Sequence, residues 1–360
     1  MPKVDTPYTI QNLTLKNRLL RSATMENMAD DQGFVTDALV NLYHDLAIGG
    51  TGLIITGASA VQQKGRVWSH QTALWDDRYI KGLAKLAKVV HQPGSNCKCA
   101  VQLHHGGMTG FGYSYGSEDS GYSLNDASES EIGKTIDAFG KAALRVKKAG
   151  FDAISVHAAH GYLISQFLSP LTNNRSDKWG GDPAKRMRFA LEVCRSIRNK
   201  VGKDFPLFWK MNCADFCNGG SEIAEYAQIA KKLVQAGVDL IEVSGGVKEQ
   251  IKLRSKLKKE AGKKEAYFRD AIQPFREAIG NKALAITGGI RSLNVMQDLM
   301  DEGVDMLGIC RPFISEPDLP NKIFDPAEKN TAKCISCNKC LLRIAAQPLK
   351  CVEFDKTDDD

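Results

Sequence analysis

Two histidines three residues apart, a glycine and a tyrosine open the stretch VHAAHGYLISQFLSP, Val156 to Pro170. His157 and His160 could ligate a metal, fill a core or donate hydrogen bonds. A metal would require a third ligand nearby, and His104 or His105 could supply one. Two N–H groups converging on one point could instead hold a carbonyl oxygen and stabilise an enolate. One such donor is typically worth roughly 3–4 kcal/mol in a transition state. Tyr162, whose phenol ordinarily titrates at about 10, keeps its proton at neutral pH and could deliver it as a general acid.

A second cluster is the cysteine-rich tail. CISCNKC and a later cysteine place Cys334, Cys337, Cys340 and Cys351 in the spacing C-x₂-C-x₂-C-x₁₀-C. Without signs of secretion, that points to metal or redox chemistry before disulfides. Three cysteines spaced by twos suit an iron–sulfur cluster. Zinc and an empty tail are the alternatives, although zinc modules more often use two separated pairs.

These residues need a scaffold. Short apolar runs at 19–24, 51–60, 97–103, 151–159, 205–211, 238–246, 283–289 and 304–310 alternate with amphipathic, helix-like segments, several ending in glycine. Eight such units predict a (β/α)₈ barrel over 1–325, followed by a cysteine-rich segment over 326–360. A doubly wound sheet would want a glycine-rich phosphate fingerprint after the first strand, and none is there. GFGYSYG (110–116) is only a weak glycine-rich match.

Barrels build their sites from the loops after the strands. Those positions hold Ala23 and Thr24, Ala58 to Ala60, Gln102, His104 and His105, His157 to Tyr162, Lys210, Gly288 and Gly289, and Cys310 and Arg311. ITGGI offers backbone N–H groups that can approach an anion, and ICRPF offers an arginine fork, so a phosphate is expected after strands seven and eight. A tight turn beside a surface arginine is the plainer reading. Gln102 both donates and accepts, which suits the pyrimidine edge of a flavin. Lys210 places a cation deep in the mouth, where it needs an anion. Reduced flavin would supply one; a structural ion pair is the alternative.

The chain has 360 residues, 43% of them hydrophobic, and a net charge of +6. Eight basic residues against two acidic ones fall between Lys248 and Lys264, a solvated face or a patch for an anionic substrate or redox partner. No nucleic-acid motif accompanies it. No apolar run is long enough to span a membrane, and MPKVDTPYTI lacks the basic start and apolar stretch of a signal peptide, so a cytoplasmic location is expected.

HAAHGYLISQFLSPLTNNRSDKWGGDPAKRMRF resembles the signature of the old yellow enzyme family, the FMN-dependent NAD(P)H:flavin oxidoreductases and ene-reductases. LKNRLLRSAT, QLHHGG, ITGGI and GICRPF resemble its other blocks, in order, over about residues 5–320. The resemblance implies FMN in a (β/α)₈ barrel, reduced by NAD(P)H, passing hydride to the β-carbon of an unsaturated carbonyl compound. It implies that Ala23, Thr24 and Met25 line the flavin, that Ala60 and Gln102 bond its polar edge, and that Lys210 faces its N1/O2 side. Gly289, Cys310 and Arg311, beside Gly288, would hold the phosphate. His157 and His160 would bind the carbonyl and Tyr162 would donate the proton.

The tail also resembles the [4Fe-4S] segment of the branch that includes 2,4-dienoyl-CoA reductase. The longer members carry further nucleotide-binding domains, which are not expected within these 360 residues, so an electron-transfer subunit with a separate redox partner protein is the second reading. A flavin-free phosphate-binding barrel is the third, and Gln102 argues against it. Met25, Lys210, Met108 and Trp179 depart from the residues usual in the family.

Overall fold

This computed structural model describes residues 3–109, 123–246, 264–344 and 347–354. The glycine-rich 110–116 and the basic segment before Lys264 lie outside the described residues. An antiparallel hairpin comes first, β1 (Tyr8–Ile10) and β2 (Leu13–Leu15), turning through Gln11 at φ 59°. The apolar runs had not revealed it, although YTIQNLTL alternates as a strand pair should.

Eight parallel strands then close a barrel: β3 (Leu19–Arg21), β4 (Leu53–Ala60), β5 (Lys98–His104), β6 (Ala153–Ala158), β7 (Leu207–Asn212), β8 (Leu240–Ser244), β9 (Ala283–Thr287) and β10 (Met306–Ile309). β10 pairs back onto β3 and completes the ring. Six of the strands fall inside an apolar run of the sequence, and β5 and β7 each extend one residue beyond theirs, to His104 and Asn212. The first is shorter than expected: the Ser22 N–H still donates to the Ile309 carbonyl of β10, and the strand ends before Ala23 and Thr24.

Alternation across each strand fills both sides of the wall. Leu20, Leu53, Ile55, Phe208 and Leu240 point inward and pack on Ile10, Leu13 and Leu15 of the hairpin, which plugs the lower end. The outward residues meet helices such as Glu129–Lys148, started by a capping box between Ser128 and Glu131. No helix of the described residues is long and apolar enough to cross a membrane.

A recurring clip fixes the lower rim. In AGFD, AGVD and EGVD, a glycine with positive φ (Gly150, Gly237, Gly303) ends a helix, and an aspartate follows two residues later. Asp152, Asp239 and Asp305 accept the backbone N–H of Cys99, Leu207 and Leu284, each at the foot of the neighbouring strand. Each carboxylate also meets a side chain from the helix before that strand: His91 at 2.6 Å, Arg198 at 2.6 Å and Arg276 at 2.5 Å.

Candidate active site

At the upper rim, β5, β6 and β7 bring an aromatic cage together. The Tyr162 ring lies 4.5 Å from that of His104 and 5.2 Å from that of His157, and the two clamp histidines are 5.0 Å apart, all edge-on. Trp68, from the loop after β4, closes the cage 6.0 Å from Tyr162. The sequence reading had Tyr162 and both histidines; it had no signal for Trp68.

The histidines are held in different ways. His157 ends β6, and its Nδ1 accepts the Ala159 N–H at 3.3 Å, which leaves the ring proton on Nε2. Burial, then His160, His104 and Lys210, hold it well below its usual range, so the ring is neutral. His160 sits in the left-handed region at φ 64°. Asn212 of β7 anchors it there by accepting its N–H at 3.0 Å, and Ser244 at the end of β8 meets its Nε2 at 2.7 Å. Such a conformation is costly for a non-glycine residue and concentrates where a side chain must be aimed.

Below the cage lies a charged floor. Lys210 and Glu242 face each other across β7 and β8 at 3.0 Å, and Ser22 accepts from Lys210 at 2.6 Å while donating to Glu242. All three are buried. The structural ion pair weighed for Lys210 is therefore present, and Glu242 is its partner. A glutamate within the apolar run VDLIEVS was the signal that could have found it.

Gln102 is buried on the same inner face. Its amide Nε2 has no hydrogen-bond partner, and neither has Glu242 Oε2. Buried polar atoms left unpaired cost about 1–3 kcal/mol each, and both of these lie on the inner face of the barrel. Ala60 differs from expectation: its N–H donates to Thr72 and its carbonyl accepts from Leu74, leaving chiefly a methyl for any ligand. Thr24 is buried with its hydroxyl on the Ser22 carbonyl, Ala23 lies at the edge of the barrel interior, and Met25 packs under the tail.

Gly288 and Gly289 follow β9 at φ 128° and 77°. A methyl group on Gly289 would stand 2.3 Å from the Tyr267 ring, so only glycine lets that aromatic lie on the backbone. Tyr267 itself donates its N–H to the Gly288 carbonyl at 3.0 Å. Across from it, Cys310 sits 3.6 Å from the Thr287 hydroxyl, and Arg311 reaches the Tyr267 phenol at 3.5 Å. The tight turn and the arginine thus meet at Tyr267.

Arg311 also joins that turn to the tail, donating to Asn338 at 2.6 Å. Cys334, Cys337, Cys340 and Cys351 line one pocket together with Arg311 and Ile314, and all four are free thiols. Burial pushes Cys334 up and Cys340 up to about 11, with Arg311 opposing. Hydrogen bonds from Asn27 to the Ile344 carbonyl and from Leu349 to the Glu26 carbonyl dock the tail on the loop after β3. Among the described residues, one group of three or more His, Cys, Asp or Glu has its ligand atoms all within 4.8 Å, and it is His91, Cys99 and Asp152 at the opposite rim. The tail sulfurs are spread more widely.

Residues 3–330 match the model of the NADH:flavin oxidoreductase / NADH oxidase family. The NADH oxidase of Thermoanaerobacter brockii is 34% identical over 94% of this chain and 53% of its own length. The NADPH dehydrogenase of Bacillus subtilis (strain 168) is 33% identical over 88% of this chain and 92% of its own. Among solved structures, a 2-naphthoyl-CoA reductase in complex with 2-naphthoyl-CoA superposes with a TM-score of 0.87 at 27% identity, covering 97% of this chain and 56% of that one. The chain thus spans about half the length of several proteins it matches.

Proposed function

The chain belongs to the NADH:flavin oxidoreductase / NADH oxidase family, the old yellow enzymes, and on that premise of a flavin-dependent oxidoreductase we propose that it reduces the activated C=C bond of an α,β-unsaturated carbonyl compound. The observation that carries this reading is the cage itself: an N–H donor of fixed tautomer on His157, with a second histidine held in a strained aim and a phenol whose ring centres lie 5.0 and 5.2 Å from its own.

The residues present fit FMN. Gln102 Nε2 is an orphaned buried donor suited to the pyrimidine edge, Lys210 and Glu242 lie on the same inner face of the barrel, and Gly288, Gly289, Cys310 and Arg311 would hold the phosphate. Ala23 and Thr24 would line one wall with Met25 behind them, and Ala60 would contribute a methyl. When bound, the cofactor supplies a hydride from its reduced form, which the family draws from NAD(P)H.

The chain's own groups do the rest. His157 donates Nε2–H to the substrate carbonyl, and His160, held by Asn212 and Ser244, supports the same oxygen. That polarises the alkene and stabilises the enolate that follows hydride arrival at the β-carbon. Tyr162 then gives its proton to the α-carbon. Because His157 is neutral, the clamp acts through oriented N–H groups without a net charge.

We further propose that Cys334, Cys337, Cys340 and Cys351 hold a [4Fe-4S] cluster. The four line one pocket beside Arg311, and three cysteines spaced by twos with a fourth arriving later suit such a cluster. Exposed Ile335, Leu341, Leu342, Val352 and Phe354 cluster in the same tail. They favour a second reading, in which a separate redox protein delivers electrons there.

The test is anaerobic mixing in two halves. Reduced holoenzyme mixed with 2-cyclohexenone should reoxidise in a single saturable phase and yield cyclohexanone. Flavin that reoxidises only with oxygen or artificial acceptors would refute the alkene reading while leaving the family intact.

A further inference from the structure

His104 ends β5 two residues beyond Gln102, on the same inward face and one step nearer the mouth. Its ring is fully buried. Nδ1 lies 3.1 Å from Gln71 Nε2. The direction of that contact follows from the rest of the Gln71 amide. Oε1 accepts the Val67 N–H at 2.8 Å, and Nε2 donates to the Ala58 carbonyl at 3.0 Å. Turned the other way, the amide would set donor against donor at Val67 and acceptor against acceptor at Ala58. Gln71 is therefore the donor to His104, and the neutral imidazole carries its proton on Nε2. Burial lowers the His104 pKa to about 3, so the ring stays uncharged at neutral pH.

That Nε2–H has no hydrogen-bond partner. The aromatic neighbours of the ring are Trp68, His157 and Tyr162, with ring centres 6.0, 5.5 and 4.5 Å away. Two of those three are the groups assigned above to the carbonyl and the proton. An oriented donor kept unpaired among them, with its tautomer enforced from a separate loop, is set to meet a ligand.

We propose that His104 is a specificity-determining donor of the substrate pocket, pairing its Nε2–H with a second hydrogen-bond acceptor on the substrate. The site then prefers alkenes flanked by two acceptors, such as maleimides and ene-diones, over alkenes with one carbonyl. The inference rests on reading His157, His160 and Tyr162 as the alkene-reducing site.

The experiment compares N-methylmaleimide with 2-cyclohexenone on the FMN-loaded protein, by kcat/KM and by the shift in flavin absorbance when each is titrated onto oxidised enzyme. In His104→Leu the maleimide-to-cyclohexenone ratio should fall about 10- to 100-fold, the discrimination expected when one buried donor loses its acceptor. His104→Gln, which keeps an N–H of similar reach, should restore most of it. Nitrogen NMR of labelled histidine should assign to His104 a neutral ring protonated on Nε2. Equal losses on both substrates, or a His104 that titrates between pH 6 and 7, would overturn the proposal. If wild-type protein reduces neither probe yet binds the maleimide more tightly through His104, the alkene reading fails and the donor role stands. If it reduces both and His104→Leu leaves the ratio unmoved, the reverse holds.

Discussion

Lys210 Nζ lies 3.0 Å from Glu242 Oε1, across two adjacent barrel strands and shielded from water. The cation at the chamber floor is thus neutralised by its own chain. The pair sets two opposite expectations for the flavin, whose reduction adds negative charge. Glu242→Gln leaves Lys210 uncompensated and should raise the two-electron potential; Lys210→Met should lower it. About 30 mV corresponds to about 1.4 kcal/mol for such a couple, so shifts of this order are measurable by dye equilibration. Glu242→Gln should also destabilise the fold, since breaking a buried pair typically costs about 3–5 kcal/mol. Shifts in the same direction for both variants would show that the pair does not face the cofactor.

Tyr162→Phe removes the proposed acid and little else. The alkene half-reaction should slow by about 10²–10⁴, the usual contribution of a positioned acid, while flavin reduction by NAD(P)H changes little. The pH profile carries a second expectation. Burial foremost holds His157 well below its ordinary range, so the alkene half-reaction should show no step near pH 6.5. A step there would mean that a histidine cycles its charge during turnover.

What the sequence revealed and what it hid follow from the range of each interaction. The barrel strands are apolar runs, a local property, and each appeared within its run or one residue beyond it. His157, His160 and Tyr162 share one hexapeptide, so their proximity was legible too. Glu242 and Lys210 are joined by strand register, and His104 takes its tautomer from Gln71 in a loop 33 residues earlier. No local pattern encodes either pairing. Ala60 shows the converse: it stands at the end of β4 as the sequence placed it, but its backbone is spent on the 72–74 loop, a contact visible only once the chain is folded.

The tail cysteines make a prediction independent of turnover. Anaerobic reconstitution should give about four iron and four sulfide per chain, with broad visible absorption beyond the flavin bands. Cys340→Ser, at a buried position of the pocket, should abolish that absorption and the iron while FMN remains bound. Zinc at one per chain in anaerobically purified protein would replace the cluster assignment.

The lower rim gives a stability prediction far from the chemistry. Burial alone would raise the Asp152 carboxyl, but hydrogen bonds from His91 and the Cys99 N–H, with Lys98 nearby, hold it below the usual range. A depressed carboxylate contributes stability above its unfolded pKa of about 3.9 and loses it as pH falls through the lower folded value. His91→Ala removes the strongest opposing contact, so the folded pKa should rise and acid unfolding should begin at higher pH. About 1–2 kcal/mol should also be lost at neutral pH, a modest figure because His91 is partly exposed. His91→Arg would copy the Arg198–Asp239 and Arg276–Asp305 clips and should keep both the stability and the acid limit. Urea titrations at pH 7, 5 and 4 measure all three proteins. Superimposable curves for wild type and His91→Ala would show that the Asp152 clip is held by the Cys99 N–H alone.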